Sequence, residues 1–177
     1  LLALGHRGEA WSLKGNHGNA LRDFEAAADI DPSFAGALLA RGRERLILGD
    51  AAGAVAALTE AAKLNPAEPH VHVLRAMALL AQGRPEAAAS EFATALRLDP
   101  VVAAKYLRSG CSRFDRCDYR GALIELDAAA RLDPACQEAI RYRGCSLFHV
   151  GQPERARVDL DEAILRKLDD SAAHLYR

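Results

Sequence analysis

The sequence predicts an all-α fold, a right-handed superhelical array of antiparallel helix pairs. Three observations predict it. Asp or Asn followed by Pro recurs every 34 residues, at Asp31-Pro32, Asn65-Pro66, Asp99-Pro100 and Asp133-Pro134. Small residues keep the same beat: Gly8, Gly42, Ala76, Gly110 and Gly144; Ala20, Ala54, Ala88, Ala122 and Ala156; Ala27, Ala61, Ala95, Ala129 and Ala163. A bulky set keeps it as well, at Phe24, Leu58, Phe92, Leu126 and Leu160. An unbroken period of this length means one supersecondary unit stacked on copies of itself, an α-solenoid.

The copies run 1–34, 35–68, 69–102, 103–136 and 137–170, with 171–177 opening a sixth first helix, all in one array over 1–177. In the first copy a helix A runs to Lys14. Gly15 ends it by supplying the positive φ that commonly follows a helix terminus. Helix B runs from about Gly18 to Ile30. Asp31-Pro32 stops it, because Pro lacks an N–H and disfavours α geometry in the residue before it. The second copy repeats this with Gly49-Asp50 and Asn65-Pro66, the third with Gly83 and Asp99-Pro100. In the third and fifth copies helix B opens at Pro85 and Pro153, in the first turn where Pro is tolerated. In the fourth, Cys117 stands in place of the turn Gly, which predicts left-handed backbone at a residue that carries a Cβ. In the fifth, Leu168 replaces the terminal Pro, and Arg157 and Lys167 stand where earlier B helices are mostly apolar or acidic. That end is expected to adapt to a different neighbour or to fray. Helices this short are marginal alone and must bury a face against one another. Gly or Ala at the eighth place lets helix B approach, Ala at the twentieth and twenty-seventh clears the opposing surface, and Phe or Leu at the twenty-fourth fills the gap.

Bulk properties bound the function. Half of the 177 residues are apolar, 27% are charged and the formal net charge is −1, as in a soluble fold. No basic excess pulls on phosphates, which argues against nucleic acid. No apolar run approaches the roughly 20 residues of a membrane helix. Leu1 is not preceded by Met or a leader, so it reads as an excised start, and the natural chain is expected to continue beyond at least one end. Cys117 falls in an A–B turn and Cys136 in a connection, while Cys111 and Cys145 are equivalent positions on successive helices about 8–10 Å apart. A disulfide needs Cα atoms within about 7 Å. Four free thiols are expected, and with them a cytoplasmic or other reducing intracellular compartment.

The first copy reads Leu4, Gly8, Trp11, Ala20, Phe24, Ala27 and Pro32. This pattern resembles the tetratricopeptide repeat, and the resemblance extends over five copies, residues 1–170. Arg45 and Arg113 depart from it at place 11, where a bulky residue is usual. The resemblance implies a helical superhelix that binds proteins or peptides, usually in the groove lined by helices A. Places 2, 5, 9, 12 and 13 of helix A would face that groove. They supply Leu39, Arg43, Leu46 and Ile47; His70, Val73, Met77 and Leu80; Leu107, Cys111, Phe114 and Asp115; Glu138, Arg141, Cys145, Phe148 and His149. A long apolar stripe of this kind is rarely left without a partner, so an apolar or amphipathic segment is one candidate occupant. The alternative is that neighbouring helices A cover much of it. Relatives that clamp acidic chaperone C-termini use Lys and Asn on helices A. The matching places here, Gly5, Glu9, Ala40, His70 and Leu74, carry none of that chemistry.

Arg recurs at place 7, as Arg7, Arg41, Arg75, Arg143 and Arg177, with Ser109 the exception. Acids recur at place 23, as Asp23, Glu91 and Asp159, with Glu125 opposite Ser109. A ladder held open for an acidic ligand would not need acids in phase, so Arg–carboxylate pairing within or between hairpins is the preferred reading. Cys111 with Asp115 and Cys145 with His149 are each four apart on one helix face, but zinc donors must converge to about 4 Å, closer than stacked helices allow, so no metal is expected. His72 and His174 share place 4 and read as packing residues. No nucleophile elbow, phosphate loop or H-E-x-x-H occurs, and no catalytic residue or cofactor is assigned. The sequence therefore predicts a non-enzymatic scaffold for a protein or peptide partner. A structural spacer in a large assembly, or a regulatory array of an enzyme with its chemistry outside residues 1–177, are the alternatives.

Overall fold

The computed structural model describes residues 1–165. Among them are ten helices and no strand: α1 (Leu2–Leu13), α2 (His17–Ile30), α3 (Ala35–Ile47), α4 (Ala51–Leu64), α5 (Pro69–Ala81), α6 (Pro85–Leu98), α7 (Val102–Asp115), α8 (Tyr119–Leu132), α9 (Gln137–His149) and α10 (Pro153–Leu165). Odd numbers are helices A and even numbers helices B. Lys167, Leu168, His174, Arg177 and the expected sixth helix A lie outside the described residues.

The boundaries follow from local chemistry repeated in each hairpin. After each helix A, place 15 has a positive φ: 71° at Gly15, 88° at Gly49, 71° at Gly83, 62° at Cys117 and 80° at Gly151. The next N–H turns back to the carbonyl oxygen of place 11, at 2.9 Å from Asn16 to Trp11 and 2.8 Å from Asp50 to Arg45. Such a bond satisfies carbonyls that the helix end would otherwise orphan. Asn16, Asp50 and Asp118 then cap helix B, their side chains accepting from the N–H three residues on. At the far end the chain becomes extended, and the Asp31, Asn65, Asp99 and Asp133 N–H groups bond to the Ala27, Ala61, Ala95 and Ala129 carbonyls at 2.9–3.1 Å.

The chain divides into two compact units, one ending at Val102 and one beginning at Ala103. In the first, α1–α6 form three hairpins, each helix packing on the next in sequence, and α3 also touching α5. Its interior is lined by Ala27, Ala28, Ala37, Leu38, Ala61, Ala62 and Val71 at one junction, with Leu4, Phe34 and Leu39 partly buried against them. Ala76, Leu79 and Ala88 form another. The small residues at places 8 and 20 let helix axes approach until the place 24 side chain fills the crossing. A Cβ added at Gly42 would sit 2.5 Å from Leu58 Cγ. In the second unit α9 packs on α8 and α10. There, Cys145 and Leu160 are buried beneath Phe114 and Ile164.

One polar cluster is sealed between the first two hairpins. Ser12 Oγ donates to Glu44 Oε1 at 2.8 Å, His17 Nδ1 lies 2.7 Å from Glu44 Oε2, and Arg43 Nε donates to Oε1 at 3.2 Å. Glu44 is 0% exposed. Burial pushes its carboxyl up, but His17, Arg43 and Ser12 together outweigh that and hold it below the ordinary carboxylate range. A depressed folded value means stability present above the unfolded carboxyl pKa of about 4.3 and lost as pH falls through the folded value. Urea midpoints recorded from pH 7 to pH 3 should therefore fall steeply at the acid end. Glu44→Gln should be less stable at pH 7 and show a flatter acid limb. An unchanged slope in that variant would remove Glu44 from the account.

Candidate functional site

The pairs predicted at places 7 and 23 form across each A–B hairpin where both partners exist. Arg7 grips Asp23 through Nε and Nη2 at 2.8 and 2.7 Å. Arg75 Nη2 donates to Glu91 Oε1 at 2.5 Å, and His72 Nδ1 meets the other oxygen at 2.8 Å. The opposite ring nitrogen of His72 faces the Pro66 carbonyl at 2.9 Å, so His72 packs as a buried bridge. Burial raises the Glu91 carboxyl, but Arg75 and His72 overcome it and hold it below its usual value. Arg143 grips Asp159 at 2.7 and 2.8 Å and also donates to Asp127 at 2.8 Å, which raises the Arg143 pKa further. In the fourth hairpin, where Ser109 offers no guanidinium, Arg113 supplies one from place 11. Its Nε donates to Glu125 at 2.9 Å and its Nη1 to Asp118 at 2.5 Å, all three side chains being nearly buried. Arg45, the equivalent in the second hairpin, reaches Glu25 of the first at 2.7 Å. These arginines are committed to carboxylates of the chain itself.

The residues expected to line a groove divide by unit and by exposure. In the first unit Leu46, Ile47, Val73 and Met77 are buried, while Leu39, Arg43, His70 and Leu80 keep some surface. The direct contact of α3 with α5 accounts for this. In the second unit Cys145 is buried, but Leu107, Cys111, Phe114 and Arg141 are half-buried, and Asp115, Glu138, Phe148 and His149 are exposed. Leu107, Cys111, Asp115 and Glu138 line one open concavity of about 560 Å³, together with Ala104 and Arg108. The Cys111 thiol there is pushed up to about 11, chiefly by burial and then by Glu138, with Arg141 opposing. It is therefore a poor nucleophile at neutral pH. None of the four cysteines is in a disulfide. Among the described residues no three His, Cys, Asp or Glu side chains gather to hold a metal ion. No helix among them is long and apolar enough to cross a membrane.

Beside the concavity lies an aromatic patch. Tyr119 stacks on His149 with ring centroids 4.0 Å apart and planes 8° from parallel. Phe114 stands edge-on to Tyr119 and Tyr142 at 5.3 Å and to His149 at 5.9 Å. Phe148 meets His149 at 5.8 Å and remains 44% exposed. The Arg141 guanidinium lies 4.1 Å from the Tyr142 ring centroid, a cation–π distance. Phe114, Arg141, Phe148 and His149 fall on the expected groove places of helix A, whereas Tyr119 and Tyr142, on places 17 and 6, do not. A signal was present in composition: of five Phe, four Tyr and one Trp, half lie between Tyr106 and Phe148.

Sequence comparison agrees with the helical repeat. The tetratricopeptide repeat family matches residues 39–103 and 107–176, most of the chain. The chain belongs to the tetratricopeptide repeat family. No curated protein matches it in sequence. Solved tetratricopeptide structures share the fold. A thermophilic member from Thermus thermophilus is 20% identical with a TM-score of 0.61, the match covering 99% of this chain and 96% of that one. MamA is 19% identical with a TM-score of 0.56, covering 90% and 94%. YrrB, described as a tetratricopeptide protein with an unusual peptide-binding site, is 19% identical with a TM-score of 0.55, covering 97% and 89%.

Proposed function

We propose that this tetratricopeptide chain is a protein-interaction scaffold that holds an apolar or amphipathic peptide or helix against its helices A. The observation that carries the reading is Phe148, a large aromatic ring 44% exposed within the patch formed by Phe114, Tyr119 and His149. Exposed aromatics over a concave surface supply contact area at low entropic cost, and they dominate binding where they become desolvated. The adjoining concavity offers apolar walls at Leu107 and Ala104, with Asp115, Glu138 and Arg108 to fix orientation. YrrB, which shares the fold, is described by its peptide-binding site, which is compatible with the same use here.

Selection of a random peptide library on the immobilised chain tests this. Enriched peptides should carry spaced apolar residues. Phe148→Asp should weaken them by about thirtyfold, the equivalent of about 2 kcal/mol, with only a small fall in the thermal midpoint, because the ring is 44% exposed and packs edge-on against His149. Peptides that bind Phe148→Asp as well as the parent but lose affinity for Val158→Asp, an exposed position on α10, would move the interaction away from helices A.

A further inference from the structure

The second unit holds another open concavity, about 230 Å³ in volume, with α8 and α10 as its sides and α9 as its floor. Three guanidiniums line it, Arg131 from α8, Arg143 from α9 and Arg155 from α10, together with the carboxylates of Asp127 and Asp159. The fold occupies both acids. Asp159 accepts from Arg143 through both oxygens, at 2.7 and 2.8 Å, and Asp127 accepts from Arg143 at 2.8 Å and from Arg131 at 3.0 Å. Three cations against two anions leave one positive charge over. Among the described residues Arg131 uses only Nε, and Arg155 donates only to the neutral side chain of Gln152, at 2.6 Å. Both arginines are exposed. Arg155 is the third residue of α10, where a cation opposes the helix dipole, so the helix does not call for it. The same place holds Asn19, Gly53, Ala87 and Gly121 in the other hairpins. Next to it on the rim Val158 is 64% exposed, over a buried Leu147. Between α4 and α6, where Arg75 and Glu91 repeat the pairing on the floor, these two rim places are Ala87 and Ser90.

We infer that this concavity docks a short acidic segment of a protein partner, with an Asp or Glu carboxylate set between Arg131 and Arg155 and an apolar side chain beside it on Val158. The planar fork of a guanidinium matches two carboxylate oxygens, and both rim arginines are open to an incoming side chain. One negative charge cancels the one that the fold leaves over. A doubly charged phosphate fits less well, because Asp127 and Asp159 line the same concavity and repel the second charge. This surface lies apart from the aromatic patch and does not depend on the reading given above.

A random peptide library selected on the intact chain and counter-selected against Arg155→Glu tests it. Arg155 is exposed and holds no carboxylate, so the variant should keep the thermal midpoint of the parent. Peptides directed at the aromatic patch bind both chains and are removed. Survivors should carry Asp or Glu next to an apolar residue. A synthetic peptide of the enriched sequence should bind Arg155→Glu about tenfold more weakly than the parent. Changing its acid to the amide should cost a similar factor on the parent, and changing that acid to Lys should make the peptide prefer Arg155→Glu. No survivors, survivors without an acid, equal affinity of the synthetic peptide for both chains, or its displacement by inorganic phosphate but not by acetate at equal ionic strength would each overturn the inference.

Discussion

Arg113→Ala should cost about 3–5 kcal/mol of folding stability, read as a fall in the urea midpoint at unchanged slope. Arg113 is 6% exposed and holds two carboxylates, Glu125 at 2.9 Å and Asp118 at 2.5 Å. Both acids are themselves buried. The net worth of an intact buried ion pair is small, since desolvation offsets attraction. Removing only the cation is different: two desolvated negative charges then face each other. Asp118 must also keep capping α8 through the Gly121 N–H at 2.9 Å, so it cannot turn away without exposing that helix end. Arg7→Ala is the contrast. Arg7 forms the equivalent pair but is itself mostly exposed, and truncating it uncovers Asp23 so that water can solvate the carboxylate. Glu125→Gln combined with Arg113→Met should recover part of the loss, because it removes the stranded charge. If Arg113→Ala is as mild as Arg7→Ala, burial is not what makes the fourth-hairpin network matter.

The second large effect concerns shape. Leu58→Ala should destabilise by about 2–5 kcal/mol through lost transfer energy and a residual cavity, since Leu58 is 0% exposed. Gly42→Ala should destabilise by about 1–3 kcal/mol for the opposite reason, overpacking, because its new Cβ would meet Leu58 Cγ at 2.5 Å. The two changes are complementary. The methyl at place 8 enters space that the shortened side chain at place 24 vacates, so the double variant should be more stable than the sum of the singles implies, by about 0.5–3 kcal/mol. A double-mutant cycle in urea measures it. Strict additivity would mean that α3 and α4 do not meet through this contact.

Much of the fold was legible because the period recurs without insertion. A turn Gly and an Asp-Pro stop at constant spacing fix each helix, and Cys117 adopts the left-handed backbone its position demanded, with φ 62°. The pairing of Arg7, Arg75 and Arg143 was legible because both partners keep phase. The role of Arg113 was not, because its acid, Glu125, was matched to Ser109 by place and the guanidinium arrives from four residues further along the helix. The Ser12, His17 and Glu44 cluster was hidden for a similar reason. Its members lie 32 and 27 residues apart, out of step with a period of 34, so repetition gives no hint of it. Helix A side chains in the first unit were harder still. Apolar character at Leu46, Val73 and Met77 suits a groove and an interior equally well, and only the contact of α3 with α5 separates the two.

Place 11 carries Trp11, Leu79 and Leu147 in odd hairpins but Arg45 and Arg113 in even ones, and those two share Asp50 with Gly53 and Asp118 with Gly121 behind them. The even type ties helix A to the cap of helix B through its place 11 guanidinium, whereas the odd type sets its charged clasp between places 7 and 23. Excising one hairpin would preserve the helical phase yet set two like members side by side, whereas excising a consecutive couple keeps the sequence of types intact. The modular brick of this protein is thus the doublet, and any grafting, shortening or lengthening of it should proceed by twos.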